Sequence, residues 1–110
     1  MSSELESLKE LFFRYEDAFL EKSVLVGVAP SSMAGAQLSP EFYDDDGEQH
    51  IKVTVLLELT GDDSIDDDTS ERVADTTSDW LRDKGINQEL EALGLEPEVM
   101  DWFTVEVTHV

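Results

Sequence analysis

His50-Ile51-Lys52-Val53-Thr54-Val55-Leu56-Leu57-Glu58-Leu59-Thr60 decides the fold class. Side chains alternate across an extended chain, so Ile51, Val53, Val55, Leu57 and Leu59 share one side of this segment. His50, Lys52, Thr54, Leu56, Glu58 and Thr60 take the other. The pattern predicts a strand with one apolar face, and such a face needs further strands beside it and a layer over it.

Downstream, Gly61 opens an acidic loop, Asp62-Asp63-Ser64-Ile65-Asp66-Asp67-Asp68. Asp68 and Glu71 have the spacing of a helix-capping pair, and Val73, Ala74, Thr77, Trp80 and Leu81 lie on one helical face up to Lys84, with Gly85 as the stop. Ile86 to Leu93 predicts a second short helix, with Asn87 as its cap and Gly94 at its end. From Met100 to Val110 alternation returns, with Phe103, Val105, Val107 and His109 on one face and Trp102, Thr104, Glu106, Thr108 and Val110 on the other. Upstream, Val24 to Ala29 is a β-rich run that predicts a strand ending at Pro30. Ser31 to Gln49, with Pro40 and Asp44-Asp45-Asp46-Gly47, predicts a long connection. At the start, Ser3 and Glu6 form a capping box, and Leu5, Leu8, Leu11, Phe12, Tyr15 and Phe19 recur at helical spacing to about Glu21. Phe13 and Leu20 widen that stripe, which predicts a helix covered on more than one side.

The resulting order, α-β-β-α-α-β, predicts an α+β fold: an N-terminal helix and a C-terminal helical segment packed on a small, mostly antiparallel sheet. A chain of 110 residues suits one domain spanning 1-110. Its 40% apolar content lifts it out of the composition range of disorder.

Charge excludes more than it proposes. The chain carries 27 acids against 7 bases, a formal net charge of -20. Such a surface repels phosphate backbones and anionic membranes, so neither direct nucleic-acid binding nor membrane binding is expected. The apolar runs are far shorter than the roughly 20 residues that span a bilayer. The opening Met1-Ser2-Ser3-Glu4 lacks the basic and apolar regions of a secretory signal, which predicts a cytoplasmic or virion location. With no cysteine, disulfides, thiolate metal sites and cysteine nucleophiles are excluded.

The catalytic motifs fail one by one. Placing Gly47 at the sixth position of a calcium-binding loop puts Phe42 at the first and Val53 where the bidentate glutamate belongs. A looser cation site from Asp62, Ser64, Asp66 and Asp68 competes with a solvated acidic loop. His50 and His109 lack zinc-site spacing, although pairing of the two long strands would bring them together. No glycine-rich phosphate cradle or nucleophile elbow is present. The expectation is a non-enzyme without metal, cofactor or catalytic residues.

What remains is contact chemistry. Leu38, Phe42 and Tyr43 lie in the long connection beside Asp44, Asp45 and Asp46, and Leu56 and Trp102 oppose the regular apolar alternation. Either each sheet face is covered by a helix, or these side chains are protein-binding anchors. On the second reading Leu38, Phe42, Tyr43, Asp44, Asp45, Asp46 and Trp102 are the candidate partner-binding residues. The partner would be protein, with a homo-oligomer or larger assembly expected.

Three causes of the acidity compete. Abundant Asp and Glu with few Lys resembles proteins of halophilic archaea and bacteria, whose self-repulsion molar salt quenches. The alternatives are an acidic inhibitor that mimics DNA, of the anti-restriction or anti-CRISPR kind, and an immunity-type protein that plugs a basic site. The order of an N-terminal helix, Val24 to Ala29 and His50 to Thr60 flanking a long acidic loop, a helix at Glu71 to Lys84 and a last strand at Met100 to Val110 resembles the tail-completion and tail-terminator subunits of tailed viruses. The helix at Ile86 to Leu93 departs from that pattern. The resemblance implies a ring-forming subunit at a head-to-tail junction, with the long loop and strand edges as contacts.

Overall fold

A computed structural model describes residues 3-20, 25 and 27-110, leaving aside the side chains of Ser3 and Leu20. Helix α1 spans Ser3–Leu20, strands β1 and β2 span Met33–Asp45 and Glu48–Leu59, helices α2 and α3 span Asp67–Asp83 and Ile86–Ala92, and a 3-10 turn at Pro97–Val99 leads into β3, Met100–His109. The α+β class and the order α-β-β-α-α-β hold. The sheet runs β1-β2-β3 and is mixed, because β1 and β2 pair antiparallel while β2 and β3 pair parallel.

β2 is the central strand, and its alternation is realised in full: Ile51, Val53, Val55, Leu57 and Leu59 are completely buried. Burial of a side chain of this size stabilises by roughly 1.5–3 kcal/mol. They pack against Leu8, Leu11, Phe12 and Phe19 of α1, Val73 and Leu81 of α2 and Ile86 and Leu90 of α3 in one core. The Trp80 ring of α2 lies 6.1 Å from Tyr15 and 5.6 Å from Phe19 of α1, so both long helices share one side of the sheet. Of the two alternatives, the one in which each sheet face is covered by a helix is thereby set aside. Phe13 is 65% exposed, so the far side of α1 is not covered as the widened stripe suggested.

The expected strand at Val24 to Ala29 and the expected loop at Ser31 to Gln49 are both corrected. Val24, Val26 and the predicted helix end at Glu21 lie outside the described residues. Leu25 is buried in a turn, its carbonyl accepting hydrogen bonds from the amides of Val28 and Ala29 at 3.0 Å each. The strand lies instead in the supposed loop. Ala36, Leu38 and Pro40 of β1 turn inward, with Phe42 half-buried after them. Pro40 reads as a loop residue, but an edge strand tolerates a residue with no amide to donate. At the tip, Asp45 pairs with Glu48, and Asp46 (φ 52°) and Gly47 (φ 85°) form a two-residue hairpin turn. Such a turn needs positive φ at both positions, which Asp-Gly supplies at low cost.

α2 begins two residues earlier than the Asp68/Glu71 pair suggested. The Asp66 carboxylate accepts from the Thr69 amide at 2.8 Å and caps the helix. Gly85, at φ 91°, both ends α2 and starts α3, so Asn87 lies inside the helix and not at its cap. The α2–α3 excursion returns the chain to lie parallel to β2, which a tight hairpin cannot do.

Candidate functional site

The side of the sheet away from the helices carries a built cluster at one end. Tyr43 of β1 pairs with His50 of β2, and Lys52 pairs with Trp102 of β3. The register slips between Ile51–Met100 and Lys52–Trp102, leaving Asp101 as an extra residue. A bulge of this kind re-aims a side chain. Here it sends the Asp101 carboxylate across the sheet, where Oδ1 accepts from the Tyr43 hydroxyl at 2.5 Å and Oδ2 lies 2.8 Å from His50 Nδ1.

The rings complete the arrangement. Tyr43 meets Trp102 edge to face with centroids 5.2 Å apart and lies 5.5 Å from the His50 ring. Lys52 Nζ stands 4.8 Å above the Trp102 ring, a cation–π contact. On the α2 side, the Arg82 guanidinium donates to the Met100 carbonyl at 2.8 Å and to Asn87 Oδ1 at 3.0 Å. This pins the backbone one residue before the bulge. A cleft of about 320 Å³ between α2 and β3 opens there, bordered by Asp75, Arg82, Asp101 and Trp102.

Electrostatics follow from the geometry. The hydrogen bond to Asp101 pushes the Tyr43 hydroxyl up to about 12 and also raises His50, while the Tyr43 and His50 bonds hold the Asp101 carboxyl below its usual value. His50 Nε2 lies 3.6 Å from a Glu48 carboxylate oxygen, so carboxylates flank the ring at both nitrogens. That setting favours the imidazolium and occupies the nitrogen a general base would need. Among the described residues, no group of three or more His, Asp or Glu is placed to hold a metal ion.

Among the expected contact residues, the structure brings Tyr43 and Trp102 together, with Trp102 47% exposed. Leu38, 5% exposed, belongs to the core opposite Val55, and half-buried Phe42 packs against the same core. Asp44, Asp45 and Asp46 are exposed at the hairpin tip. Parallel pairing sets His50 near the start of β2 and His109 opposite Leu59 at its end, so the two histidines do not meet. His109 Nε2 lies 2.6 Å from the Asp63 carbonyl instead.

His50, Lys52, Asp101 and Arg82 are the members sequence reasoning missed. One signal was available: Met100 is buried with the core although it is out of phase with Phe103, Val105 and Val107, and the break falls at Asp101. A second concavity, about 590 Å³, lies between α1 and α3 around Phe13, Arg14 and Leu93, and is open and mostly apolar. No described helix is long and apolar enough to cross a membrane. Comparison with protein-family models, curated proteins and solved structures finds no match.

Proposed function

We propose that this chain is a non-catalytic protein-interaction subunit that assembles through the uncovered side of its sheet. One observation carries the reading: both long helices pack on one side, and the other side ends in Trp102, 47% exposed and held by Tyr43 and Lys52. An aromatic ring already held by its neighbours loses little freedom on binding, and such rings beside polar groups anchor interfaces. The system is read as salt-adapted, which the acid-rich, lysine-poor composition supports. The finer reading, a ring subunit of a virion head-to-tail junction, is supported by element order and size; the segment taken as its contact loop is β1.

The test is the mass of the chain in solution at multimolar and at low salt, beside Trp102→Ala. Association that Trp102→Ala weakens by about tenfold or more is the expected result. A chain folded and monomeric in both salts, and bound by no other protein at Trp102, counts decisively against it.

The hairpin tip favours a second reading, the acidic inhibitor. Asp44, Asp45, Asp46 and Glu48 are exposed around a tight turn, a shape suited to a basic cleft. Neutralising Asp44, Asp45 and Asp46 without loss of binding to a basic partner would sink it.

A further inference from the structure

The sheet is unfinished at β3. On the side facing the helices, Val53, Val55 and Leu57 of β2 are completely buried, while their register partners Phe103, Val105 and Val107 are only half-buried. No described strand pairs with the outer edge of β3. An unbroken strand edge is a template for another strand, and proteins usually blunt such edges with proline, charge or a bulge. β1 is blunted in this way by Pro40 and by the acids Glu41, Asp44 and Asp45. β3, a strand of 10 residues, has its bulge at one end, and beyond it Trp102 to Thr108 contains no proline or glycine and one charged residue, Glu106.

We propose that β3 pairs antiparallel with β3 of a second copy of this chain about a two-fold axis at Val105, joining two three-stranded sheets into one of six strands. The strand's own sequence selects this register. With Val105 opposite itself, Phe103 faces Val107 on the helix side, and Thr104 faces Glu106 and Trp102 faces Thr108 on the open side, so apolar meets apolar and no two carboxylates are opposed. Moving the axis to Glu106 would set two carboxylates face to face, and moving it to Thr104 would set Val107 against the bulge, with no apolar partner on its side. A chain with net charge -20 repels its copy everywhere else, which makes a contact with one carboxylate per strand beyond the bulge the least costly approach. The pairing also covers the half-buried strip of Phe103, Val105 and Val107, and it sets the two open faces side by side with a Trp102 from each copy. The inference rests on the interaction reading and names its partner as self.

The chain has no cysteine, so one introduced thiol reports one position. Directly opposed residues in an antiparallel pair have Cα atoms about 4.5–5.5 Å apart, within the range of a disulfide. Under mild oxidation at multimolar salt, Val105→Cys is expected to cross-link to a covalent dimer, and Thr108→Cys, whose two copies would lie about 20 Å apart along the strands, is expected not to. Sedimentation of the unaltered chain is expected to give a dimer. A dimer in which Val105→Cys fails to cross-link overturns the β3 pairing and leaves self-assembly standing. A monomer at submillimolar concentration overturns the pairing as well, and the wider interaction reading then falls only if Trp102 also proves irrelevant to every partner tested.

Discussion

The Asp101 carboxylate reaches across the sheet to His50, with Oδ2 2.8 Å from Nδ1, because one extra residue in β3 turns it out of phase with the strand. This contact makes stability depend on pH in a defined direction. His50 is raised in the folded chain, so its contribution is complete below the ordinary histidine value of 6.5 and is lost as pH rises through the raised folded value. Asp101 is lowered, so its contribution is complete above the ordinary 3.8 and is lost as pH falls through the lowered folded value. The contribution of the pair is greatest between those limits. Melting curves at fixed high salt will show His50→Gln destabilising near about pH 5 and converging on the unaltered chain at alkaline pH. A difference that stays constant from acid to alkali refutes the coupling.

Tyr43 supplies an optical version of the same test. Its hydroxyl is pushed up to about 12 by the bond to Asp101. In a spectrophotometric titration, Tyr43→Phe should remove a late-titrating phenol, while Asp101→Asn should bring a phenol back toward the ordinary value of 10.0. An Asp101→Asn chain whose tyrosine titration is unchanged would show that the bond does not form in solution.

β2 predicts contrasting costs at adjacent residues. Leu57 is completely buried and Leu56 is half-buried on the open side. Leu57→Ala is expected to destabilise by about 2–5 kcal/mol, since it removes buried apolar surface and leaves a cavity. Leu56→Ala should cost less than about 1 kcal/mol and leave the core intact. Denaturant titration at high salt measures both, and equal costs would mean that the open face is covered in solution.

These comparisons also explain what was legible in the sequence. β2 could be read because its two faces differ completely, and α2 because Val73, Thr77 and Leu81 keep helical spacing. β1 was hidden because its inward residues include Ala36 and Pro40, weak strand formers that only an edge position and a committed turn make acceptable. Trp102 was identifiable as an aromatic out of phase with the core, and Tyr43 as an aromatic beside the acids of the expected loop. His50 and Asp101 were not, because their meeting depends on a bulge and on parallel pairing between β2 and β3, and residue type records neither.

The turn itself can be tested at Gly47, whose φ of 85° lies in the region L residues avoid. A Cβ there would meet no atom within 4 Å, so the cost of Gly47→Ala is backbone strain alone, about 1–2 kcal/mol. Asp46, at φ 52°, should accept Asn without loss, because both side chains tolerate this conformation. Thermal melts compare the two, and a neutral Gly47→Ala would show that the tip adopts another turn in solution.

Salt should act on the whole surface. Every described Asp and Glu except Glu16 and Glu58 is exposed. The ion pairs among the described residues are Arg14 with Glu89 and His50 with Glu48 and Asp101, so most of the net charge of -20 is left to repel itself. Repulsion between exposed charges reaches roughly 10 Å at 0.1 M salt and about 3 Å at 1 M, so raising potassium chloride over that range should stabilise the fold. A gain of roughly 10 °C in melting temperature corresponds to about 2 kcal/mol for a domain of this size. Chloride is used because sulfate would also strengthen apolar burial and blur the cause. Replacing Asp45, Asp63 and Asp67, which are exposed in the two acidic stretches, by Lys removes about six units of the net negative charge, two per substitution, and should shrink the salt response in proportion. If the melting temperature is flat in potassium chloride, or if the triple variant keeps the full response, self-repulsion is not what the salt relieves, and the salt-adapted reading loses its physical basis.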